Sequence, residues 1–169
     1  MHSEVVAECG FATLERAVSQ VHVLLGCPWS KIGDADFFAG MLVSTLLGEG
    51  TSSRLFQHIR ENKGLCYEIR SDMEAYGYAG LLSLYSVVEK TQLESLLLAV
   101  GSEINCLLED GVSELELERA MRFNVARLLI ESDVAEDRLF RALYAEKELG
   151  CYRSAREAIL RLTAVSKPQ

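Results

Sequence analysis

The residues best equipped for chemistry lie between Leu46 and Ser71, in the run LLGEGTSSRLFQHIRENKGLCYEIRS. Leu55, Phe56 and Ile59 share one face of a helix predicted over 52–62, Gly64 supplies its stop, and a strand is predicted over 65–75. Arg60 therefore sits at the helix end and Tyr67 at the strand entry, with a glycine turn between them. A guanidinium donates to a peptide carbonyl or carboxylate, and a tyrosine hydroxyl donates to a developing oxyanion without carrying charge of its own. The residue types leave a second reading open. Arg60 would then be a solvated cation complementing the helix dipole, and Tyr67 a core aromatic beside Leu65 and Ile69.

The other reactive residues lack partners in sequence. Ser52 and Ser53 have no histidine at a fixed local spacing to activate them as nucleophiles. Gly48-Glu49-Gly50-Thr51 resembles a phosphate loop only superficially, because it follows a helix and lacks the terminal G-K-[ST]; it reads as a flexible helix-to-helix connection. His2, His22 and His58 are far apart, and no H-x-x-E-H, H-E-x-x-H or Cys/His cluster occurs, so no zinc site is expected on this chain. His22 and His58 read as structural histidines. Cys66 reads as core packing.

Around this segment the pattern predicts an α+β domain, an antiparallel sheet with helices packed on one face. A strand over 20–25 is closed by Gly26 and Pro28, and Asp34 caps a helix over 35–47. Strands over 65–75 and 78–88 form a hairpin, with Gly77 supplying a positive φ. Helices follow over 91–109, 114–131, 134–149 and 155–162. Each has a capping-box spacing at its start: Thr91 with Glu94, Ser113 with Glu116, Asp133 with Glu136, and Ser154 with Glu157.

The chain has 169 residues, 49% of them hydrophobic, enough for one domain spanning 1–169. A net charge of −8 with dispersed basic residues argues against nucleic acid or an anionic membrane as partner. Five cysteines with no C-x-x-C pair suggest reduced thiols. No basic-then-apolar start and no apolar run near the ~20 residues of a membrane span is present, so a cytoplasmic location is expected.

Ser52-Ser53-Arg54-Leu55-Phe56-Gln57, Ile59-Arg60-Glu61, Lys63-Gly64-Leu65 and Tyr67 resemble the signature of the second-half domain of insulinase/pitrilysin-type zinc metallopeptidases, among them the mitochondrial processing peptidase and bacterial zinc proteases. The resemblance continues through Gly80 and Tyr85 to Asp110-Gly111-Val112-Ser113-Glu114-Leu115-Glu116, with Gln20 to Gly26 as the preceding strand, and covers roughly residues 15–165. It implies a fold of paired α+β halves closing around a peptide chamber. The first half carries the zinc on H-x-x-E-H, and the second contributes an arginine and a tyrosine at the spacing of Arg60 and Tyr67. On this resemblance Arg60 anchors the substrate backbone and Tyr67 hydrogen-bonds the tetrahedral intermediate, with Ser52 and Ser53 also in the substrate-binding set. The implied partners are a zinc-bearing first half and a peptide substrate; this chain binds no cofactor and is inactive alone.

The family domain also has a strand and helix before Gln20 and a helix and strand after the end of this chain. The expectation is thus a truncated half-domain whose open sheet edges could pair with a second copy. The alternative is a scaffold subunit of the same fold, like the non-catalytic core subunits of respiratory complexes.

Overall fold

The computed structural model describes residues 8–166. His2 lies outside them. Strand β1 (Gln20–Trp29) leads to helix α1 (Phe37–Gly48), a π-helical turn (Phe56–Asn62), and the hairpin of β2 (Glu68–Ala75) and β3 (Gly80–Glu89). A 3-10 turn at Lys90–Gln92 opens a helical run: α2 (Leu93–Asp110), α3 (Glu114–Asp133), α4 (Ala135–Leu149) and α5 (Ala155–Thr163). The strands form one antiparallel sheet in the order β1-β3-β2.

The sheet has one buried face. Ile69 and Ser71 on β2, with Leu82, Leu84, Ser86 and Val88 on β3, are buried, whereas the residues alternating with them on β2 are largely exposed. Against the buried face lie Leu47 of α1, Leu55 just before the π-helical turn and Ile59 within it, and Leu96, Ala99 and Val100 of α2. Each fully buried aliphatic side chain here contributes about 1.5–3 kcal/mol. A second cluster, Phe38, Leu42, Leu46, Ala120 and Leu162, joins α1 to α3 and α5. Helix α1 is therefore apolar on opposite sides, sandwiched between the sheet and the helical layer.

Close approach of α1 to the sheet depends on two glycines. A Cβ on Gly40 would stand 2.1 Å from Trp29 Nε1, and one on Gly48 would stand 2.3 Å from Ser71 N. Gly48 is thus a packed helix residue and not part of a flexible connection; Gly50, at φ +80°, makes the turn.

Several boundaries differ from expectation for identifiable reasons. β1 runs through Gly26 and Pro28 to Trp29, because β1 is an edge strand. The hairpin pair Tyr76–Ala79 and the registers put the backbone groups of Pro28 on the open edge, where no N–H is needed. Gly77 does not have a positive φ; its constraint is Glu148, whose carbonyl and carboxylate oxygens would lie 2.9 Å from an added Cβ. The N-cap of α1 is Asp36, without a side-chain bond, while Asp34 accepts from Lys31 N–H at 3.3 Å.

Of the four capping boxes, Ser113–Glu116 forms completely, and Ser154 accepts from Glu157 N–H. Thr91 is absorbed into the 3-10 turn, and Asp133 is the last residue of α3, so the other two do not form.

Candidate functional site

The π-helical turn is fixed from below by Leu55 and Ile59, both at 0% exposure. Phe56, which the spacing places on the same face, is only half-buried. Winding as a π-helix widens the turn, a feature frequent at functional sites. Gly64, at φ +61°, then reverses the chain: its N–H donates to the Arg60 carbonyl at 3.2 Å, and Leu65 N–H donates to the Ile59 carbonyl at 3.1 Å.

Arg60 and Tyr67 flank this reversal, and both are exposed. The Arg60 guanidinium lies 4.7 Å from the Phe56 ring centroid, with Glu61 at 3.9 Å. Its charge also acts on Cys66, whose thiol burial pushes up in pKa while a hydrogen bond to Ser86 and Arg60 oppose the shift. Tyr67 N–H donates to the Val87 carbonyl at 2.9 Å, and its side chain is 55% exposed, which removes the core-aromatic reading. The Tyr67 hydroxyl donates to Glu89 Oε1 at 2.7 Å. The hydrogen bond to that carboxylate raises the phenol pKa from its ordinary value.

The serines separate. Ser52 is exposed, but Ser53 is 3% exposed and its hydroxyl donates to the Gly50 carbonyl at 2.8 Å. The Ser53 hydroxyl thus closes the turn at Gly50. His22 Nδ1 lies 2.7 Å from the Tyr85 hydroxyl and His58 Nδ1 lies 2.8 Å from Glu103 Oε2, each a local pair. Among the described residues, no three His, Cys, Asp or Glu side chains converge as a metal site would require, so the residues present do not fit a zinc ion.

One group went unrecognised in the sequence. Glu49, at the end of α1, accepts from Ser44 Oγ at 2.8 Å and from Arg127 Nη1 at 2.8 Å. Arg127 Nη2 donates to Asn124 Oδ1 at 2.8 Å, and fully buried Asn124 donates to Thr45 Oγ1 at 2.8 Å. Ser71 Oγ of β2 donates to the Ser44 carbonyl at 2.6 Å. This network ties α1, α3 and β2 together at the floor of a groove of about 930 Å³ beside β2. The signal was present as polar residues at helical spacing on α3, Asn124 and Arg127, but their partners lie 78 or more positions away in sequence.

Residues 3–124 match the model of the peptidase M16 inactive domain. The chain belongs to that family. An uncharacterized zinc protease of Bacillus subtilis is 29% identical over 154 residues, covering 91% of this chain and 38% of the relative. The chain thus spans well under half the length of that relative. The solved peptidase M16 inactive domain from Pseudomonas fluorescens superposes with a TM-score of 0.74 at 23% identity, covering 88% of this chain and 36% of that one. A chain of Complex III2 from Candida albicans superposes with a TM-score of 0.78 at 15% identity, covering 89% and 38%. These two likenesses establish the α+β fold of the family's inactive domain.

Proposed function

We propose that this M16 inactive domain is the substrate-binding and transition-state-supporting half of a zinc metalloendopeptidase, acting with a zinc-bearing first half and inactive alone. The observation that carries the reading is the pair Arg60 and Tyr67, exposed on either side of the Gly64 turn, with the Tyr67 hydroxyl donating to Glu89. The zinc-bearing half supplies activation of the attacking water. On this chain, Arg60 donates to the peptide backbone, and Tyr67 turns its O–H from Glu89 to the oxyanion as charge develops there. Exposed Ser52 stays in the substrate-contact set. Five unpaired thiols suit a reducing, cytoplasm-like compartment.

The decisive experiment combines this chain with the zinc-bearing half, whether encoded in the same polypeptide or beside it, and follows cleavage of an unstructured peptide by wild type, Arg60→Ala and Tyr67→Phe. A scaffold role is the second reading, prompted by the same fold in the Candida Complex III2 chain. It predicts that neither substitution changes cleavage.

A further inference from the structure

Helix α4 packs on α3, yet of its described residues only Ala145 is buried. Phe140 is 61% exposed, and Leu139, Leu143 and Tyr144 are exposed as well. Asp137, Phe140, Tyr144 and Lys147 follow one another at the alternating three- and four-residue spacing that puts side chains on one face of a helix. That face lines an open groove of about 630 Å³. The Tyr144 hydroxyl donates to the Ala75 carbonyl, which holds the ring in place on the groove wall.

The stripe is its own complement. Reversing it about Ala142 exchanges Asp137 with Lys147 and Phe140 with Tyr144. Two copies of α4 laid antiparallel across a twofold axis at Ala142 therefore set each carboxylate against an ammonium and each phenyl ring against a phenol ring, and every contact occurs twice. The spacing is the one by which paired helices interdigitate, and the aromatic layers supply the apolar burial. The charges fix the direction: parallel helices would set Asp137 against Asp137 and Lys147 against Lys147. Lys147 reaches Glu148 at 2.8 Å on its own helix but is largely exposed, free to turn toward a partner. An anionic membrane or nucleic acid fits this groove poorly, because Asp137 and Glu131 both line it.

We infer that this chain forms a symmetric dimer through antiparallel pairing of α4 with the α4 of a second copy, in register about Ala142. The pairing uses neither the sheet edges nor Arg60 and Tyr67, and it does not rest on the peptidase role proposed above.

The test is sedimentation equilibrium of the intact chain and its variants. Wild type is expected to show the mass of two chains at tens of micromolar and to dissociate on dilution. Phe140→Asp, at an exposed position that the fold tolerates, is expected to weaken the dimer at least tenfold. Asp137→Lys and Lys147→Asp each place like charges opposite one another at both ends of the interface, so each alone weakens the dimer. Mixing these two single variants is expected to restore a mixed dimer of wild-type strength, because every facing pair is again of opposite charge; the double variant restores it likewise. A merely structural effect of either substitution on its own chain would not be rescued by mixing. A monomeric wild type overturns the inference. So does a dimer indifferent to Phe140→Asp, which places the contact at a sheet edge, and so does a mixture of the two charge variants that stays as weak as each alone.

Discussion

Arg54 and Glu116, 62 positions apart, form a two-bond ion pair: Nε to Oε1 at 2.6 Å and Nη2 to Oε2 at 2.9 Å. Arg54 Nη2 also donates to the Gly111 carbonyl at 2.9 Å, while Glu116 completes the capping box of α3 with Ser113. One guanidinium thus holds the entry to the π-helical turn against the start of α3. Arg54→Ala leaves a carboxylate and a carbonyl without this donor at a partly buried site, and is expected to destabilise the chain by about 2 kcal/mol. Urea unfolding measures this as a lower midpoint with unchanged slope.

The same pair makes stability depend on acid. Hydrogen bonding from Arg54 is the main cause that lowers the Glu116 pKa from about 4.5 to about 2. Because the folded value is the lower one, the unfolded chain binds the extra proton between these pH values. The stabilisation is full above about 4.5 and disappears as pH falls toward 2, by about 1–2 kcal/mol after solvent screening of this partly exposed pair. Glu116→Gln is expected to flatten that part of the stability–pH curve, measured by denaturant midpoints at successive pH values.

Asn124 is expected to be the most sensitive residue of the buried polar network beneath the groove. Its amide donates to Thr45 Oγ1 and to the Ala120 carbonyl, and its oxygen accepts from Arg127. Asn124→Ala removes a donor to Thr45 Oγ1, which keeps its bond to the Met41 carbonyl, and an acceptor from Arg127, and opens a cavity at a fully buried position, at a cost of about 1–3 kcal/mol. Arg127→Lys tests the same network: a lysine cannot reach Glu49 and Asn124 with a planar fork, so part of that loss is expected again.

Two glycine substitutions should act in opposite directions. Gly48→Ala puts a methyl against the Ser71 backbone and is expected to destabilise by about 1–3 kcal/mol. Gly101→Ala, within α2 where nothing lies within 4 Å of an added Cβ, is expected to stabilise by about 0.5–1 kcal/mol. Thermal melts of both variants beside wild type measure the contrast.

The order of elements was legible because period-2 alternation and period-3.6 faces are local properties. Helices α2 to α5 follow from them to within two residues at each end. What depended on contacts distant in sequence was not legible. Gly48 looks like a hinge until Ser71 is set against it, and Gly77 looks like a turn residue until Glu148 of α4 arrives. Thr91 and Asp133 have good capping partners by spacing alone, but neighbouring helical turns took them up instead. Arg60 and Tyr67 were visible as a pair only through a resemblance; their residue types also allowed a dipole cation and a core aromatic. Burial decides for Tyr67, and the sequence could not supply that. Glu49, Asn124 and Arg127 became a group only when α1 and α3 packed.

The most direct test of the proposed role is the Tyr67 hydroxyl. In the assembly with the zinc-bearing half, Tyr67→Phe removes one oxyanion donor while leaving the ring beside β3, and steady-state cleavage of an unstructured peptide reads the effect. The account predicts kcat lowered on the order of 10²–10³-fold with KM little changed, whereas Arg60→Ala raises KM as well. Wild-type kcat in the Tyr67→Phe assembly would contradict it.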